Sequence, residues 1–197
     1  MPVADIEACR LSHQRLHATA RTVDDGVVRR PSLLPGWTVG HVLSHLIGNA
    51  DSMVRRLSAA QEGEIVSRYE GGEAGRAEQI EAGAHRPADE LVVELIQADH
   101  AVDELFRTVP ESVWDRPVLF SGDRQGPASQ LIFSRWREVE THHLDLGLGY
   151  TAQDLPQALV DRWLPSLIEG LSARADPKAL LAWTLGRGPA PELAAWG

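Results

Sequence analysis

Apolar residues recur along the chain at three- and four-residue steps, in stretches separated by Pro- and Gly-marked breaks. That period predicts amphipathic helices. In residues 3–24 the stripe is Ile6, Cys9, His13, Leu16, Ala20 and Val23, with His13 and His17 expected to be partly buried or at the surface. After Pro31, Pro35 and Gly36, Thr38 is placed to cap a helix running to about residue 61, with Val42, His45, Asn49, Met53 and Leu57 on one face. Residues 62–86 are polar and Gly-rich, with a short helix predicted over 73–82 in a mobile stretch. Pro87 opens the next helix, whose stripe is Leu91, Leu95, Val102, Phe106 and Val109, and Pro110 ends it. A loop is predicted over 112–127, a helix over 128–145, and two more over 156–173 and 177–186. No strand-like alternation and no internal repeat is present. The expected fold is all-α: an antiparallel four-helix bundle in residues 1–150, followed by a short helical extension in 151–197.

Composition narrows the function classes. Of 197 residues, 43% are hydrophobic, enough to bury a core, and the formal charge of −9 opposes binding to nucleic acid or to an anionic membrane surface. No apolar run approaches the roughly 18 residues of a membrane span, and the N-terminus lacks a basic region followed by an apolar one. A cytoplasmic protein is therefore expected. The one cysteine, Cys9, lies on an apolar stripe and reads as a buried structural thiol. It rules out an internal disulfide and a Cys-rich zinc site, so any bound metal must take nitrogen and oxygen donors.

The helix predicted over 128–145 carries the chemistry. Glu138 and His142 are four residues apart and Asp145 follows three further on, all along one stripe. Ile132, Trp136, Val139 and Leu146 form a separate apolar stripe, with His143 expected to pack beside it and Glu140 expected to face solvent. On the helix opening at Thr38, His45 sits among apolar residues, and a bundle can bring it opposite Glu138 and His142. Two imidazoles and a carboxylate are donors suited to zinc or nickel, and three protein ligands leave an open coordination position. Spacing alone also admits an ordinary surface helix, with Glu138 paired to Arg135 or Arg137 and His142 solvated. Phosphate-binding Gly loops, nucleophile elbows and His-Glu-x-x-His are absent.

Three stretches resemble the signatures of the mycothiol-dependent maleylpyruvate isomerase family, within the DinB-like metal-binding helical bundles. They are Leu34 to Asp51, with its Pro-Gly-Trp-Thr and His-x-x-x-His; Arg137 to Gly147; and Leu181 to Gly188, with its Gly-Arg-Gly turn. The resemblance implies a DinB-like bundle holding a divalent metal on His45, Glu138 and His142. It also implies roles for Asp145 and Arg187 in catalysis and in binding the thiol cofactor or an anionic substrate. Mycothiol is the thiol it implies, acting on an electrophilic or dicarboxylate substrate. The expected activity is cis–trans isomerisation, with thiol S-transfer, a non-catalytic metal- or thiol-binding role, and metal-dependent hydrolysis as alternatives. Family members usually carry a larger α/β domain between the second and third signatures, where this chain has only about 40 residues. Monomer and homodimer are equally compatible with the sequence.

Overall fold

The computed structural model describes residues 3–194, which divide into two compact units, one ending at Thr151 and the other starting at Ala152. The first unit contains α1 (Val3–Ala20), a single turn α2 (Asp25–Val28), α3 (Val39–Glu62), α4 (Gly72–Ala84), α5 (Ala88–Thr108) and α6 (Gln130–Asp145). Helix α3 packs against α4, α5 and α6, and α1 packs against α5 and α6, closing a four-helix bundle of α1, α3, α5 and α6. The all-α fold agrees with the apolar periodicity. The exception is a small antiparallel ribbon, β1 (Pro117–Leu119) with β2 (Gln125–Pro127), inside the predicted loop. Three-residue strands are too short to produce a readable alternation.

Local chemistry sets the ends of α3. Thr38 Oγ1 accepts from the His41 backbone N–H while the His41 ring accepts from the Thr38 N–H, a reciprocal cap. At the other end, Arg116 donates to the carbonyls of Ala60 and Gln61 at 2.7 and 2.8 Å, satisfying groups that helix geometry leaves open. The loop before α3 is tied to the end of α6 by a bond from Leu33 N to Asp145 O at 2.8 Å. Helix α4 is longer than its polar composition suggests. A Cβ at Gly83 would sit 2.1 Å from Ser44 Oγ, so the absent side chain lets α4 lie directly on α3.

The bundle centre is charged. Arg135, which the sequence leaves free to pair at the surface, is fully buried. It donates to Asp99 of α5, to Asn49 Oδ1 at 2.7 Å and Leu46 O at 3.1 Å on α3, and to His13 Nε2 of α1 at 3.2 Å. His13 and His17 are likewise buried rather than at the surface, with His13 Nδ1 2.8 Å from Asp103 and His17 Nε2 2.8 Å from Asp99. Their carboxylate partners lie more than 80 residues away in sequence, beyond the reach of periodicity. Cys9 is fully buried beside His13.

In the second unit a 3-10 turn (Ala152–Asp154) leads to α7 (Gln157–Glu169), α8 (Leu171–Arg174) and α9 (Pro177–Thr184). No strand occurs among its described residues. Asp176 caps α9 by accepting from Lys178 N and Ala179 N, with Pro177 in the first turn. Arg174 holds the Ala194 carbonyl at 2.9 Å.

The charged centre makes a testable demand. Burial opposes ionisation of Asp99, but His13, Arg135 and the bond from His17 outweigh it and hold the carboxyl well below the usual carboxylate range. A group with a depressed folded pKa stabilises fully above its unfolded pKa, about 3.9 for Asp, and loses that contribution as pH falls towards the folded value. Asp99→Asn should cost about 3–5 kcal/mol at neutral pH, because it strands Arg135. In urea denaturation the gap between the two proteins should narrow below about pH 4. A gap that stays constant down to pH 2 would overturn this assignment.

Candidate metal centre

Helices α3 and α6 bring His45, Glu138 and His142 together. His45 Nε2 lies 3.2 Å from Glu138 Oε2 and 3.0 Å from His142 Nε2, and His142 Nε2 is 3.5 Å from Glu138 Oε2. Ligand bonds of 2.0–2.2 Å at tetrahedral angles require donors about 3.3 Å apart, so the three spacings fit one divalent ion without rearranging the backbone. His45 is buried, and Glu138 and His142 are half-buried. The set is thus shielded on one side and reachable on the other.

Neighbouring groups set the protonation of each donor. Asp145 Oδ2 accepts from His142 Nδ1 at 2.8 Å, which fixes the ring and, in the neutral imidazole, leaves the Nε2 lone pair facing the other donors. Burial works against a charged His142, yet the bonds with Asp145 and Glu138 raise its pKa. Burial also opposes ionisation of Glu138, but hydrogen bonds from His142 and His45 hold its carboxyl well below the ordinary range. Burial, against the pull of Glu138, pushes His45 down to about 4 and keeps it neutral at physiological pH. Its Nδ1 lies 3.2 Å from Nη2 of Arg76 on α4. Because guanidinium only donates, the His45 proton sits on Nε2 in this arrangement. A cation at Nε2 displaces that proton, and Arg76 is the group that has to yield.

The other residues singled out on these helices divide clearly. Glu140 does not face solvent: it is buried against α1, where it accepts from Ser12, from Arg15 at 2.5 Å and from the Tyr150 hydroxyl. The spacing that separated it from Glu138 was informative, but the partners waiting on α1 are not visible in α6 itself. His143 is buried, bonded to Thr19 Oγ1 at 2.7 Å and stacked on Tyr150 with centroids 3.7 Å apart. His41 serves the cap and reaches Glu81 at 3.3 Å. Arg187, in the second unit, is exposed in the turn after α9, where its backbone N–H bonds Ala182 O at 2.7 Å. Sequence reasoning missed Arg76, which sits in a segment of polar residues without apolar periodicity. It also missed the link between Asp145 and His142, although their three-residue spacing was a usable signal.

A family model described as the mycothiol maleylpyruvate isomerase N-terminal domain matches residues 9–147. The solved structures similar to this chain include a crystal structure of the mycothiol-dependent maleylpyruvate isomerase and one of its histidine-to-alanine mutant. Each has a TM-score of 0.82 at 24% identity and covers 98% of this chain and 97% of that chain. No curated protein sequence matches. Among the described residues no helix is long and apolar enough to cross a membrane. The matched segment holds all three candidate donors and the bundle from Cys9 of α1 onward, and by that match the chain belongs to the mycothiol maleylpyruvate isomerase family.

Proposed function

We propose that the chain is a metal- and mycothiol-dependent enzyme that catalyses cis–trans isomerisation of a maleylpyruvate-like substrate. The observation that carries this is the convergence of His45, Glu138 and His142 at spacings suited to one divalent ion, zinc or nickel, in a member of this family. A divalent ion bound there supplies a coordination position for an external sulfur and lowers the thiol pKa, so that thiolate is available at neutral pH. The chain has no accessible thiol of its own, since Cys9 is buried.

The residues divide the remaining work. Asp145 orients His142, and burial keeps His45 neutral and able to donate its lone pair. Arg76, beside the donors, supplies positive charge for a substrate carboxylate, and the family resemblance implies a substrate-binding role for Arg187 as well. In the reaction, thiolate forms a C–S bond to the cis-enone and the π pair moves into the carbonyl as an enolate. The former double bond is now single and rotates. The enolate then expels thiolate, giving the trans isomer and regenerating the thiol.

Two sets of measurements check these assignments. His45→Ala and Glu138→Ala should each lose stoichiometric metal, measured on purified protein. Asp145→Asn should bind metal about 10–100-fold more weakly, the range for groups that orient a ligating histidine. Full metal content in the two alanine variants would remove the ligand assignment. In turnover assays, maleylpyruvate should isomerise only when mycothiol is present. Thiol-independent turnover would sink the thiolate mechanism, and mycothiol consumption with an electrophile in place of isomerisation would make the chain an S-transferase.

A further inference from the structure

The face of α3 that carries His45 continues into a cavity. His45, Gly48, Ser52 and Arg55 follow at three- and four-residue steps, one stripe along the helix. The cavity, about 450 Å³, lies between this stripe and α4 with the segment before it. Gly48 matters to its shape: a Cβ there would come within 3.0 Å of the Gln79 amide, so its absence lets Gln79 of α4 approach the cavity wall.

The lining is polar and incompletely satisfied. Ser52, Arg55 and Tyr69 border the cavity, and each carries a buried polar atom without a hydrogen-bond partner: Ser52 Oγ, Arg55 Nη1 and Tyr69 OH. Ser52 and Tyr69 are only 3% and 6% exposed. Buried polar atoms are normally paired, and three orphans around one cavity mark a place that a ligand completes. The charges identify the ligand's class. Arg55 and Arg68 are matched by Asp51 and Glu70 on the same walls, and Arg68 is further engaged by Ser121 Oγ at 2.8 Å and Glu73 at 3.7 Å. A phosphate or carboxylate site needs an excess of positive charge. Hydroxyl, amide, guanidinium and carboxylate groups in balance suit a neutral ligand bearing many hydroxyls, each of which donates and accepts.

The cavity and the metal centre adjoin through one side chain. Arg76 approaches His45 Nδ1 at 3.2 Å, and its guanidinium also lies over the Tyr69 ring, 5.7 Å from the centroid. From His45 to Ser52 the helix rises about 10 Å. Mycothiol carries its cysteine on an amino sugar joined to inositol, so a sulfur at the donor set leaves the sugar and cyclitol to extend along this stripe. Resting on the thiol-dependent function proposed above, we propose that the α3–α4 cavity binds the polyhydroxylated sugar–cyclitol part of the thiol cosubstrate.

The test uses the thiol-free N-acetylglucosaminyl-inositol as probe, uncharged like the acylated amino sugar of mycothiol, titrated calorimetrically into the full chain with and without metal. Saturable binding is expected in both forms. Tyr69→Phe/Gln79→Ala should weaken it at least tenfold, and so should Arg55→Met, with metal stoichiometry and thermal midpoint retained. Gln79→Ala alone, at an exposed position, serves if the double variant fails to fold. Absence of saturable binding, equal binding by the folded variants, or tighter binding of inorganic phosphate than of the probe would each overturn the proposal. If the probe binds in the cavity but wild type shows no thiol-dependent turnover, the cavity assignment stands and the proposed activity fails. If turnover persists and the variants keep an unchanged KM for mycothiol, the activity stands and the cavity assignment fails.

Discussion

A guanidinium that cannot reach water governs this bundle. Arg135 is fully buried, and an unpaired charge there would be prohibitive. Its partners come from three other helices: His13 on α1, Leu46 O and Asn49 on α3, and Asp99 on α5. Apolar packing tolerates small rotations of a helix about its axis, whereas this set of directional bonds does not. The candidate metal centre inherits that constraint directly. His45 precedes the residue whose carbonyl Arg135 holds, and Glu138 lies three residues beyond Arg135 on the same helix. The bonds that bury a charge also set the rotation of α3 against α6.

Helix α6 serves several neighbours with different faces. Ile132, Trp136 and Val139 pack in the core. Arg135 enters the polar centre, Glu138 and His142 meet His45, and Glu140 and His143 turn to α1 and Tyr150. Acids and imidazoles that look crowded in one dimension are thereby separated by direction. Asp145 then ends the helix with two functions, its side chain orienting His142 and its carbonyl anchoring the loop that leads into α3.

Much of the fold was legible because amphipathic periodicity is a local property. The stripes on α1, α3, α5 and α6, the Thr38 cap and the Pro and Gly breaks each depend on residues a few positions apart. The three residues of the candidate metal centre were legible for a related reason, since Glu138 and His142 share one face of one helix and His45 lies on a second stripe. Helix α4 was underestimated because its stability comes from lying on α3 through Gly83, a contact no apolar pattern announces. The β1–β2 ribbon was missed because three residues per strand carry too little pattern.

By itself, then, the sequence determined the all-α class, the faces of the long helices, the lack of an internal disulfide or a Cys-rich zinc site and the three donors worth considering. Those follow from helical period and from donor chemistry, which need no neighbour to define them. Tertiary structure alone decided that Arg135, His13, His17 and Glu140 go inside, because burying a polar group depends on partners supplied from distant segments. It also decided the role of Arg76, whose reach to His45 exists only once α4 is laid against α3. The spacing of about 3 Å among the donors is of the same kind: sequence can nominate a ligand, but only packing can bring one helix's lone pair to another's.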